Sequence, residues 1–180
     1  MNIDIKIFDE RIRGLMMPQY ATDGSIAVDL RAMIGKGRNK VLSPGDVELI
    51  PTGFAMNIKD PNVGAFIFPR SGLGTKQGLV LANSTGVIDS DYQGEIMVVL
   101  WNRGKDIQII QELDRIAQMV LMPIKRVKFN VVENFSTTTA RGEGGFGSTG
   151  ITGLSPLQKT FDIHPQDWAD SRFTGAEDGK

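Results

Sequence analysis

Between Pro69 and Gly94 the chain reads PRSGLGTKQGLVLANSTGVIDSDYQG, and polar side chains break its apolar runs at close intervals. Arg70, Ser71, Asn83, Asp89, Asp91 and Tyr92 interrupt the strand-forming residues Leu79, Val80, Leu81, Val87 and Ile88. Glycines between them enforce tight turns and let a ligand come close to the backbone. A segment built for packing alone has no use for so many hydrogen-bonding groups, so this one points to a polar ligand. Asp89 has two readings: an Asx-type turn residue, or a carboxylate that orients and deprotonates water once a partner fixes it. Tyr92 is either turn filler or a platform for a sugar. The surrounding GVIDSDYQG reads as a hairpin with its turn at Ser90–Gly94.

A second polar cluster, RGEGGFGSTG, runs from Arg141 to Gly150. Its glycines bare backbone N–H groups, Ser148 and Thr149 add hydroxyls, and Arg141 supplies a forked cation, a set that suits phosphate oxygens. No GK[ST] follows, so this is not the usual triphosphatase loop. Phe146 has no core to enter and can lie over a flat ring; a plain flexible tail is the competing reading. Asp29, in SIAVDLRA, sits in an apolar strand where an unpaired carboxylate is costly, and so calls for Arg31, Arg70 or a hydrated cation. Arg115 and Gln118 interrupt another buried-looking strand, Gln118 as a satisfied core amide or as a donor aimed at a ligand. Trp101 reads as core, and His164 and Trp168 as surface.

These groups need a scaffold, and period-two alternation supplies one, beginning with Ile3, Ile5 and Ile7. Further strands are expected at Val28–Ala32, Val47–Ile50, Phe54–Ile58, Ala65–Phe68, Leu79–Ala82, Ile96–Trp101, Ile107–Ile110, Ile116–Pro123 and Lys128–Val132. Turn signals at Ser43–Asp46 and Asp60–Asn62 separate some of them. Many short strands at this spacing predict an all-β barrel or sandwich. One short helix is expected over Ser71–Gln77, with Ser71 as its cap. After Phe135 the composition turns polar and glycine-rich, which divides the chain into a barrel over 1–135, an arm over 136–150 and an extension over 151–180. The extension is expected to be largely disordered, with some docking near Leu154–Phe161, or to serve an unknown partner.

Lys+Arg total 20 against 21 Asp+Glu for a net charge of −1, which argues against stable nucleic-acid binding through a global basic field. Zero cysteines exclude disulfides, a thiolate nucleophile and a thiolate zinc site, and a single histidine argues against imidazole metal ligation. The charged, alternating N-terminus MNIDIKIFDE and the lack of a long apolar run lead to the expectation of a cytoplasmic protein without membrane segments.

In order along the chain, AVDLRA (Ala27–Ala32), PRSGLG (Pro69–Gly74), GVIDSDYQG (Gly86–Gly94), RIAQMVLMP (Arg115–Pro123) and RGEGGFGSTG resemble the five motifs of the trimeric dUTPases, the deoxyuridine 5′-triphosphate nucleotidohydrolases, of bacterial and phage type. The resemblance implies an all-β jelly-roll barrel of the β-clip kind, with one short helix and a flexible C-terminal arm. It implies a homotrimer whose active sites are shared between subunits. The implied reaction is Mg²⁺-assisted hydrolysis of dUTP to dUMP and pyrophosphate by in-line attack of water on the α-phosphate, lowering dUTP and supplying dUMP for thymidylate synthesis.

Residue roles follow from the same resemblance. Asp89 matches the aspartate that orients the attacking water and meets the 3′-hydroxyl, and Tyr92 the tyrosine under deoxyribose that leaves no room for a 2′-hydroxyl. Asn83 matches an amide on uracil, backbone groups along Gly86, Val87 and Ile88 read the ring edge, and Met97 joins the substrate contacts. Arg70, Ser71 and Gly72 match phosphate contacts, and Gln118 the glutamine that holds phosphate and the nucleophilic water. Asp29 is placed in the second shell of Mg²⁺, through water. Arg141, Phe146, Gly147, Ser148 and Thr149 match an arm that closes over the nucleotide from a neighbouring subunit. Two departures stand out: Ile26-Ala27-Val28 in place of a smaller glycine-containing run, and residues 151–180, past the point where most relatives end. The rival enzyme of the same fold is a dCTP deaminase, whose catalytic glutamate falls where this chain has Val99. A nucleotide-sensing regulator that has lost turnover is the rival of another kind, motivated by the extension.

Overall fold

Turn residues cut the chain into short strands because each apolar alternation lasts only a few residues before a glycine, proline or aspartate ends it. The computed structural model describes residues 1–14 and 17–143. Its strands are β1 (Asp4–Ile7), β2 (Val28–Arg31), β3 (Asn39–Leu42), β4 (Val47–Pro51), β5 (Phe54–Asn57), β6 (Val63–Phe68), β7 (Leu79–Leu81), β8 (Gly86–Ile88), β9 (Met97–Asn102), β10 (Gln108–Gln111) and β11 (Arg115–Pro123). One α-helix, α1 (Ser71–Lys76), and a 3₁₀ turn at Glu10–Ile12 complete the set. The sheets run β2-β11-β6-β8, β4-β9-β7, β1-β5 and β10-β3, and every ladder is antiparallel. Among the described residues no helix is long and apolar enough to cross a membrane.

The inward faces of these sheets share one core. Leu30, Ile50, Ile58, Ala65, Ile96, Leu100 and Ala117 are sealed from solvent within it, and a large aliphatic side chain buried this fully contributes roughly 1.5–3 kcal/mol. Two polar residues, Thr52 and Asn102, are buried with it, and Asn102 is fully enclosed at the end of β9. Its amide donates to Leu42 O at 2.9 Å and Asp106 O at 2.8 Å, and its Oδ1 accepts from Gly104 N–H at 3.0 Å. With every polar atom partnered, the side chain ties β3 to the turn after β9 without the cost of an orphaned group.

The N-terminal segment is fastened by charge. Arg11 reaches Asp9 at 2.5 Å, Glu112 at 2.9 Å and Ile34 O at 2.9 Å. The Arg11 side-chain hydrogen bond holds the Asp9 carboxyl below its ordinary 3.8; partial burial opposes this, and the Arg11 backbone N–H and charge add to it.

Several expectations are corrected. The segment after β8 is not a hairpin, because β8 pairs with β6 while β9 pairs with β4 and β7. Asp89–Ile96 therefore crosses from one sheet to another. Strand β3 was not anticipated, since it is only four residues long, whereas β8 stands where the first arm of the expected hairpin was placed. No described ladder includes Lys128–Val132, whose alternation finds no partner strand. Ser71 does not cap α1: Arg70 occupies the cap position, with no side-chain cap hydrogen bond, and Ser71 is the first helical residue. Trp101 is 39% exposed rather than core, because its place in β9 faces Val47 and Val80 on the outer side.

The chain divides into two compact units, Met1–Lys128, which holds all the strands, and a second that begins at Phe129. In the second, a turn places the Gly142 N–H on Thr139 O at 3.0 Å.

Because Asp9 has a lowered folded-state pKa, its contribution to stability is present above the unfolded value near 3.8 and fades as pH falls through the folded value. Asp9→Asn is therefore expected to be less stable than the wild type at neutral pH. The gap should narrow below about pH 4, as denaturant unfolding across pH 2–7 would measure.

Candidate active site

Strand β11 is the axis of the site. It pairs on one side with β2 and on the other with β6, so that Asp29, Gln118 and Phe68 lie in one row across three strands. A regular strand puts residues three apart on opposite faces. The register of β11 shifts between Arg115 and Ala117, and Ile116 and Ala117 are both buried in succession. This bulge turns Arg115 to the same side as Gln118, where it meets Asp29.

Asp29 is held between two arginines. Its Oδ1 lies 3.0 Å from Arg70 Nε and its Oδ2 accepts from Arg115 Nη1 at 3.2 Å. Arg70 Nη1 donates to Arg115 O at 3.0 Å, closing a ring of contacts. The Asp29 side chain is 29% exposed, so pairs of this kind contribute about 1 kcal/mol or less. Their value lies in orientation: with Nε and Nη1 committed, Arg70 keeps its remaining donors for an incoming group. Arg31, the alternative partner for Asp29, instead donates to Leu113 O at 2.9 Å. Arg115 is exposed, not buried, as its strand sequence suggested.

Gln118 Nε2 donates to Pro69 O at 3.0 Å and so fixes the chain just before α1. Ser71 and Gly72, exposed in the first turn, follow at once. Together Asp29, Arg70, Ser71, Gly72, Leu73, Lys76, Gln77 and Gln118 line a cavity of about 370 Å³. Two cations, Arg70 and Lys76, against one carboxylate, Asp29, suit an anion. Lys76 escaped sequence reading, because it is an ordinary exposed lysine until α1 turns it towards this cavity.

Asp89 is elsewhere. It lines a cavity of about 560 Å³ whose wall includes Asn57, Lys59, Val87, Ile88, Asp91 and Arg126. Ile88 pairs with Ala65 and Gln118 with Phe68, so Asp89 lies level with Gly64. Four residues along β6 are about 13 Å, well outside hydrogen-bond reach. Within one chain, then, the carboxylate and the glutamine stand at opposite ends of the same sheet.

Around Asp89 the corner is tied by hydrogen bonds of its own. Asp89 O accepts from Tyr92 N–H at 3.2 Å, and Tyr92 Oη donates to Glu95 O at 3.1 Å. Val87 is exposed opposite Phe66, and Met97 opens β9 opposite Pro51. Asn83 is exposed in the β7–β8 loop, where its carbonyl accepts from Thr85 N–H at 2.6 Å. Gly86 is buried against Ile67, where a Cβ would come within 3.0 Å of Ile67 Cβ. Arg141 is described in the second unit's turn; Phe146, Gly147, Ser148, Thr149 and residues 151–180 lie outside the described residues.

Fold and site together define an antiparallel β-barrel protein with a cation-lined cavity at one end of a sheet and a carboxylate-bearing corner at the other. The sequence profile of the dUTPase family matches residues 13–150. The deoxyuridine 5′-triphosphate nucleotidohydrolases of Shigella flexneri serotype 5b and Sodalis glossinidius are 52% and 54% identical over 149 residues, covering 82% of this chain and 97% of each relative. The dUTPase of Staphylococcus bacteriophage 80alpha, solved with dUPNHPP, matches with a TM-score of 0.73 at 25% identity, covering 83% of this chain and 99% of that one. The chain belongs to the dUTPase family, and its all-β architecture is that family's fold. Residues 151–180 lie beyond the matched stretch.

The corner's dependence on tight packing can be tested at Gly86. Gly86→Ala should push β8 from β6 and lower stability by about 1–3 kcal/mol, the usual cost of overpacking, as read by denaturant unfolding.

Proposed function

We propose that this chain hydrolyses dUTP to dUMP and pyrophosphate, a reaction that lowers dUTP and provides dUMP for thymidylate synthesis. The observation that carries the reading is the convergence of Asp29, Arg70, Ser71, Gly72 and Gln118 on one cavity, in a chain about half identical to named deoxyuridine 5′-triphosphate nucleotidohydrolases. Arg70 and the first turn of α1 hold phosphate oxygens, while Gln118 holds phosphate and the water. Asp89 orients that water and accepts its proton as it attacks the α-phosphorus in line, and charge builds on oxygens that the cations already face. Asn83, Met97 and the backbone of Gly86, Val87 and Ile88 read uracil. Tyr92 underlies deoxyribose and excludes a 2′-hydroxyl. Arg141, with Phe146, Gly147, Ser148 and Thr149, closes over the nucleotide.

Mg²⁺ fits this site only through water. Among the described residues no group of three or more His, Cys, Asp or Glu can hold a metal. Each Asp29 oxygen, already paired to an arginine, retains lone pairs for a metal-bound water, and substrate phosphates supply the direct ligands. When bound, the ion neutralises triphosphate charge.

The separation of Asp89 from Gln118 supports an active site shared between copies in a homotrimer, with Asp89 of one copy facing the phosphate cavity of the next. Exposed apolar side chains at Val41, Val47, Leu49, Trp101 and Ile109 offer surface for such assembly. The deaminase alternative lacks support, because Val99, paired with Leu49 in β9, puts hydrocarbon where that chemistry needs a carboxylate.

The test is a parallel assay of dUTP, dCTP, dTTP and UTP with Mg²⁺, measuring pyrophosphate and ammonia. Pyrophosphate from dUTP alone is the expected result; ammonia from dCTP, or indifferent cleavage of all four, refutes the reading. Asp89→Asn should bind nucleotide yet lose about 10²–10⁴-fold in kcat, the range for a positioned base. Unfolding Asp89→Asn and Gln118→Ala together and refolding the mixture should restore turnover that neither variant shows alone, since some mixed trimers then carry one intact shared site.

A further inference from the structure

The corner that carries Tyr92 is anchored from below by contacts no sequence motif requires. Glu95 Oε1 accepts from Gly53 N–H at 2.8 Å. Gly53 has φ +78, and a Cβ there would lie 2.7 Å from Ile12 Cδ1 and 2.9 Å from Met33 Cγ, so the turn it makes is one only glycine fits. The same glycine's carbonyl accepts from Phe8 N–H at 2.8 Å and Asp9 N–H at 3.1 Å. On either side, Thr52 donates to Ile96 O through its N–H at 3.1 Å and its hydroxyl at 2.6 Å, and Ile96 N–H donates to Phe54 O at 2.9 Å. The Glu95–Ile96 segment is thus fixed at three consecutive residues, Thr52 and Gly53 of the β4–β5 turn and Phe54 at the start of β5.

That peptide sets the position of the tyrosine. Tyr92 Oη donates to Glu95 O, and the ring lies on Gly94 so closely that a Cβ there would come 2.6 Å from Cζ and 3.0 Å from Cε2. The hydroxyl and the adjoining ring atoms are therefore both referred to the backbone of residues 94–95, which is itself referred to Gly53.

We infer that Glu95 is a positioning residue for sugar selection: its carboxylate, on the Gly53 N–H, holds the platform that sets the height of the Tyr92 ring, with Gly94 as the bare surface beneath it. This rests on the reading that Tyr92 underlies the substrate's deoxyribose. A tyrosine that rests lower or tilts opens room for a 2′-hydroxyl, so loss of the anchor costs discrimination before it costs chemistry. A hydrophobic pocket alone rejects an added hydroxyl weakly, by about 10²-fold, which makes a fixed ring height decisive.

The experiment compares kcat/KM for dUTP and UTP in wild type, Glu95→Gln, Glu95→Ala, Gly94→Ala and Tyr92→Phe, with melting curves for each. Wild type tests the underlying reading by itself, because an enzyme that does not prefer dUTP over UTP removes that reading whatever the variants do. Given that preference, Glu95→Ala should lower the dUTP/UTP ratio about tenfold or more, chiefly through KM for dUTP and a gain in kcat/KM for UTP. Glu95→Gln keeps an acceptor for the Gly53 N–H and should retain the wild-type ratio. Tyr92→Phe, which keeps the ring but frees it from Glu95 O, and Gly94→Ala, which lifts it, should both lower the ratio and report if Glu95→Ala fails to fold. A wild-type ratio in folded Glu95→Ala, or an equal loss in Glu95→Gln, overturns the inference, as does a wild-type ratio in both Tyr92→Phe and Gly94→Ala.

Discussion

The double pairing of β11 is the constraint on which the rest depends. A strand flanked by β2 and β6 fixes two registers at once, and those registers place Asp29, Gln118 and Phe68 in a single row. A one-residue slip on either side would send alternate side chains to the wrong face and break the row. The bulge at Arg115–Ala117 is the one irregularity, and it keeps Ile116 and Ala117 in the core while Arg115 reaches Asp29.

From that row follows a division of labour between a charged end and a polar corner. The charged end is built on partly exposed side chains whose pairing contributes little to stability, so its order comes from backbone register and from the Gln118 bond to Pro69 O. The corner is built the other way, on backbone contacts to buried turns, with Thr52 almost wholly enclosed and Gly53 in a conformation other residues reach only under strain.

Much of this was legible in the sequence, and the failures have identifiable causes. Strands with sustained alternation, such as Asp4–Ile7 and Val47–Pro51, stand where the pattern put them. Strand β3 was missed because four residues carry too little periodicity. The cost of an unpaired carboxylate called for Arg31, Arg70 or a hydrated cation beside Asp29, and the structure gives Arg70, whereas Arg115 joined it only through a bulge that no composition reveals. Asn102 and Glu95 gave no signal, because their meaning lies in contacts with Leu42 and Gly53, dozens of residues away. The supposed hairpin at Ser90–Gly94 failed because turn residues show where a chain bends, not which sheet receives it afterwards.

The distance between Asp89 and Gln118 along β6 has a further consequence for how such a protein behaves as it becomes scarce. If a working centre is assembled from more than one copy, the number of centres falls with a higher power of concentration than the number of chains. Turnover per molecule would then fall away on dilution although every polypeptide stayed folded. Expression level, rather than any inhibitor, would set a threshold below which the protein is present but silent.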